Sequence, residues 1–108
     1  MNNEVKLSER EQKCLAVLVD YVNGEEERCV YMKTIAEETK LTLVQVRRSV
    51  RALARKGLAK YHRGLFDEDG KVAGSGYCAS EEGTQFIEKW EEELRLEELE
   101  RESQQTLI

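Results

Sequence analysis

The chain has 108 residues, 40% of them hydrophobic and 36% charged, and a formal net charge of −5. That length suits one domain with a modest core and a heavily charged, solvent-facing part. The longest apolar run, Leu15–Val19, is five residues, which excludes a membrane span of ~18–20 apolar residues. No basic-then-apolar leader is present, so a cytoplasmic location is expected. The lack of proline excludes Pro-rich ligands and linkers.

The first predicted helix starts at Ser8, where Ser8-Glu9-Arg10-Glu11 has the S-x-x-E pattern of a capping box. Leu15, Leu18, Val19 and Val22 follow at helical spacing, and Cys14, Val17 and Tyr21 fall to the side of that stripe. The helix is therefore apolar over more than one face and should be sandwiched. Asn23-Gly24 is its stop signal. Glu25–Arg28 reads as a charged loop, Cys29-Val30-Tyr31 as a short strand, and Met32–Thr39 as a second helix with Ile35 and Ala36 facing in.

After the turn Lys40-Leu41, Thr42-Leu43-Val44-Gln45 forms a second capping box and opens a third helix that runs to Lys56 and stops at Gly57. Val46, Val50 and Leu53 fall on one side of its wheel. Arg48, Arg51 and Arg55 fall on the other, with Arg47 between. Leu58–Phe66 and Lys71–Ala79 read as strands joined by the polar turn Asp67-Glu68-Asp69-Gly70, a hairpin. Alternation puts Tyr77 and Ala79 on one face and Cys78 on the other, facing out. Ser80 caps a last helix running from Glu81 to about Gln104, with Phe86, Ile87, Trp90 and Leu94 as its stripe.

The acidic total hides a strong asymmetry. Residues 29–63 carry 9 positive and 2 negative groups, and residues 81–108 carry 3 and 10. The middle of the chain is a basic block, and local field decides where a polyanion docks.

The order of elements resembles the bacterial winged helix-turn-helix regulators of the MarR-like kind, a pattern shared with PadR- and ArsR-like relatives. The resemblance rests on Ile35-Ala36-x-x-Thr39-x-Leu41-Thr42 and Val46-x-x-x-Val50-x-x-Leu53-x-x-x-Gly57-Leu58. It closes on Gly76-Tyr77-x-Ala79-Ser80-x-Glu82-Gly83, and Ala79 stands where such proteins usually carry leucine. It implies a mainly α fold with a small β-hairpin wing and a long C-terminal helix. Residues 1–80 form the winged domain, and residues 81–108 are a packing and dimerisation helix of the same unit. It further implies a sequence-specific regulator of transcription, a repressor, that inserts helix 42–56 into the major groove of duplex DNA as a homodimer.

Arginine is shaped to read guanine or clamp phosphate, so Thr42, Val44, Gln45, Arg47, Arg48 and Arg51 are placed near DNA, Arg48 and Arg51 as base contacts. Gln45 can read adenine only if its capping box leaves the side chain available. Lys33, Arg55, Lys60 and Arg63 are expected on phosphates, which position without specifying. Three acids at the wing tip should keep it out of the minor groove. Val17, Tyr21, Trp90, Leu94, Leu96 and Leu99 are the expected dimerisation residues.

The alternative is a winged helix that docks on a protein partner without binding DNA. Phe86, Trp90 and Leu94 could also line a ligand pocket, although such a stripe is more often core. Cys14, Cys29 and Cys78 are an odd set without CxxC spacing, and His62 is the only histidine. No disulfide framework, metal site or cofactor is therefore expected from spacing. The Cys/His set could still serve as a metal or thiol-redox sensor, as in some ArsR-like relatives, with Cys78 the best single redox candidate. No catalytic constellation is present, so an enzyme is not expected.

Overall fold

The computed structural model describes residues 6–22, 28–63 and 75–105. Helix α1 spans Glu9–Asp20, α2 Met32–Thr39 and α3 Leu43–Arg55. Strand β1 spans Ala59–His62 and β2 Gly76–Ala79, and α4 runs from Glu81 to Gln105.

Both sequence-level capping boxes form. Glu11 N–H donates to Ser8 Oγ and Ser8 N–H to Glu11 Oε1. At α3 the same reciprocal pair joins Thr42 and Gln45. Helix α1 ends at Asp20, short of Asn23-Gly24, which lie outside the described residues. Its last turn tightens instead: Tyr21 N–H bonds to Leu18 O and Val22 N–H to Val19 O, three-residue closures that end the α ladder.

Helix α3 stops as its glycine predicts. Gly57 has φ 79°, Gly57 N–H bonds Ala54 O and Leu58 N–H bonds Leu53 O. This is a Schellman motif, with Leu53 and Leu58 both buried across it.

Helix α1 contacts α2, α3, α4 and β2, which accounts for its wide apolar surface. Leu15 and Leu18 join Ile35, Val46, Val50, Leu53 and Ile87 in the core. Val17 belongs there too, only 9% exposed. It therefore does not share the exposed dimerisation face assigned to it, because α1 is enclosed by this chain's own elements.

Strands β1 and β2 pair antiparallel in the register Ala59↔Ala79, Lys60↔Cys78, Tyr61↔Tyr77 and His62↔Gly76. The rings of Tyr61 and Tyr77 meet across it at a tilt of 55°, centroids 5.1 Å apart. Val30 bridges Tyr77 from the other side, so the expected strand at Cys29-Val30-Tyr31 reduces to one bridge. The outer hairpin, with the acidic turn Asp67-Glu68-Asp69 and its expected relation to DNA, lies outside the described residues.

Between α2 and α3 the turn passes through Lys40 at φ 64°. Lys40 N–H caps Ala36 O, and Thr39 braces the turn by donating to Ile35 O and accepting from Leu41 N–H. A side chain in this left-handed conformation is strained by about 1 kcal/mol, a penalty glycine escapes. Lys40→Gly is therefore expected to raise stability by about 0.5–1 kcal/mol despite glycine's greater unfolded-state freedom. A urea midpoint at or below that of the parent would contradict it.

Candidate nucleic-acid interface

Helix α3 is two-faced. Val46, Ser49, Val50 and Leu53 are buried, and Ser49 also donates its hydroxyl back to Gln45 O. The opposite face presents Arg48, Arg51 and Arg55, with Arg47 at its edge, and all four are exposed. Among the described residues no acid pairs with any of the four. Thr42 is exposed at the helix start, and Val44 is 55% exposed.

Of the residues assigned to phosphate, Lys33 lies exposed on α2, Lys60 on β1 and Arg63 just past β1. Gln45 is engaged in the capping box, the condition on which its reading of adenine depended. Its Oε1 accepts from Thr42 N–H at 3.0 Å, so the acceptor needed to bracket an adenine is engaged in the helix cap. The sequence reading missed Leu43, 51% exposed beside Val44, and Arg10. Arg10 borders the same shallow depression as Arg48, together with Ser8, Glu11 and Gln45. Only the packing of the α1 start on α3 brings it there.

One ion pair holds that packing. Lys56 Nζ lies 2.6 Å from Glu11 Oε2 and also donates to Lys6 O. Burial pushes the Glu11 carboxyl up, but hydrogen bonds from Lys56 and Ser8 outweigh it and hold the group below its ordinary 4.5. A carboxyl depressed in the folded state adds stability above the unfolded value, and this is lost as pH falls through the folded value. Glu11→Gln should therefore be less stable than the parent at neutral pH, with the gap closing as pH drops below about 4.5 in paired denaturation curves. A gap independent of pH would refute the assignment.

The cysteines are also redistributed. Cys14 is fully buried, and burial raises its thiol to about 11 against a hydrogen bond with Ser49. Cys78 lies on the face opposite Tyr77, as alternation requires, but it is fully buried rather than outward-facing. Its sulfur lies within 4.8 Å of ligand atoms of Cys29 and His62.

Beyond Trp90, α4 is exposed from residue 91 to residue 102. Phe86 and Trp90 pack on the core, which is the bland alternative to a ligand pocket. Leu94, Leu96 and Leu99 are 41%, 55% and 53% exposed. Tyr21, 37% exposed, donates its hydroxyl to Glu38 at 3.4 Å.

A helix pair joined by a tight turn, an arginine-faced second helix and a strand pair behind it decide the architecture. The chain has a MarR-like winged helix-turn-helix fold. No family model and no curated protein matches the sequence. Solved structures do match this winged helix. A point mutant of Staphylococcus aureus MepR superposes with TM-score 0.74 at 17% identity, over 91% of this chain and 66% of that one. Another MepR structure is described as a transcription regulator of the multidrug efflux pump MepA, with TM-score 0.73, 17% identity and coverage of 92% and 66%. A point mutant of Lactococcus lactis ZitR gives 0.68 at 18% identity, over 97% and 66%. The chain thus spans about two thirds of the length of these proteins. Among the described residues no helix is long and apolar enough to cross a membrane.

Proposed function

We propose that this chain is a sequence-specific duplex-DNA-binding regulator of transcription, acting as a repressor by occupying an operator. The observation that carries the reading is the α3 face, where four exposed arginines have no acidic partner among the described residues. Unpaired guanidinium groups on a helix of groove-fitting width are suited to base edges and phosphates. Arg47, Arg48 and Arg51 occupy the part of α3 nearer the bases, and Arg55, Lys33, Lys60 and Arg63 neutralise phosphates. The likeness to MepR and ZitR supports a regulator's role.

One short module reads few base pairs, so a homodimer on a palindrome supplies specificity. The C-terminal half of α4 offers Leu96 and Leu99 for that contact, with Leu94 and Tyr21 as further exposed apolar surface. Seven glutamates among residues 91–102 keep that end away from DNA. Sedimentation showing only monomer at micromolar concentration would remove the dimer from this reading.

The test is fluorescence anisotropy of labelled random-sequence duplex titrated at two salt concentrations. Binding that weakens steeply with salt is expected, because phosphate neutralisation releases counterions. No binding at low salt would overturn the proposal in favour of a winged helix that docks on a protein.

A further inference from the structure

Three metal-ligating side chains far apart in sequence converge at the base of the wing. The β1–β2 register sets Cys78 opposite Lys60 and diagonal to His62. The antiparallel Val30–Tyr77 bridge places Cys29 opposite Cys78 from the other edge. Pleating then puts all three donors on one face of the sheet. One ligand atom from each lies within 4.8 Å of the others, with Cys78 buried, Cys29 half-buried and His62 exposed. His62 is the chain's single histidine, and two of its three cysteines meet it. The third, Cys14, is the one whose thiol is sealed in the core.

We infer that Cys29, His62 and Cys78 form a zinc-binding site that joins both wing strands to the segment entering α2. Two thiolates and an imidazole suit a borderline-soft ion with no geometric demand of its own. With bonds of about 2.3 Å to sulfur and 2.0–2.1 Å to nitrogen, tetrahedral donors stand roughly 3.4–3.8 Å apart. Closing a cluster already within 4.8 Å takes about an ångström, which rotation of exposed His62 and half-buried Cys29 can supply. Three protein ligands leave the fourth tetrahedral position for water. Binding displaces the two thiol protons, so affinity rises with pH. None of this depends on whether the chain binds DNA.

The test is titration of the reduced full-length protein with Co²⁺ as a spectroscopic stand-in. Expected are a thiolate-to-cobalt charge-transfer band, the visible bands of a tetrahedral ion, saturation at one ion per chain, and displacement by Zn²⁺. Cys29→Ser and Cys78→Ser should lose the charge-transfer intensity, while Cys14→Ser keeps it. His62 is exposed, so His62→Ala keeps the fold by circular dichroism and should still lose the tetrahedral bands. Zn²⁺ should raise the thermal midpoint of the parent and not of His62→Ala. A folded, reduced parent without the charge-transfer band overturns the inference. So does a band that persists in both Cys29→Ser and Cys78→Ser, or tetrahedral bands unchanged by His62→Ala.

Discussion

Replacing Arg48 and Arg51 together by alanine is expected to weaken duplex binding at least about 30-fold, since each well-placed arginine contact contributes ~1–3 kcal/mol. Both side chains are exposed on α3 and make no ion pair among the described residues, so their removal leaves no internal partner behind. The α3 core residues Val46, Val50 and Leu53 are untouched, and stability should change by no more than about 0.5 kcal/mol. Salt separates two roles for the pair. If both neutralise phosphate, the salt slope on random duplex falls by about 2. If they read bases, the slope holds and discrimination on a selected operator collapses. Arg101→Ala, on the exposed acidic stretch of α4 beside Glu97, serves as the control and should bind as the parent does. Equal affinity of parent and double variant would remove α3 from the interface.

Gly83→Ala is expected to be strongly destabilising although it adds a single methyl. Gly83 sits in the first turn of α4, where an added Cβ would overlap the Leu58 carbonyl oxygen and press on Leu15 at 3.1 Å. The obstacle is backbone, which cannot rotate aside. Leu58 O already accepts from Ser80 N–H, and Ser80 Oγ donates to Gly57 O at 2.7 Å while accepting from Gly83 N–H at 3.1 Å. Moving α4 outward would break this knot, which ties the end of α3, the start of the wing and the start of α4 together. Overpacking usually costs about 1–3 kcal/mol, and here hydrogen bonds are lost as well, so a loss of at least about 3 kcal/mol is expected in urea denaturation. A loss under about 1 kcal/mol would mean that α4 can shift without cost.

The same knot explains Ser80 and Gly83 in the sequence signature Gly76-Tyr77-x-Ala79-Ser80-x-Glu82-Gly83. Ala79 is fully buried in the core and opposes Ala59 in the register. Ser80 is 2% exposed yet fully bonded, a buried hydroxyl satisfied on both its donor and acceptor sides.

Residues close in sequence specify what is local here. Ser8 with Glu11 and Thr42 with Gln45 lie three apart, so a helix start brings each pair together whatever surrounds it. The stop of α3 at Gly57 and the segregation of Arg48, Arg51 and Arg55 from Val46, Val50 and Leu53 follow from helical geometry alone. Tertiary structure decided the rest, because those contacts join segments that no spacing rule relates. Enclosure of α1 by four elements turned Val17 from a surface residue into core. The Thr42–Gln45 box was legible, and its formation engages Gln45 Oε1 in the helix cap. Most plainly, Cys29, His62 and Cys78 have no ligand-like spacing along the chain. They meet only because strand register, set by the pairing of Val30, Tyr77 and Tyr61, stacks three extended segments with these side chains on one face.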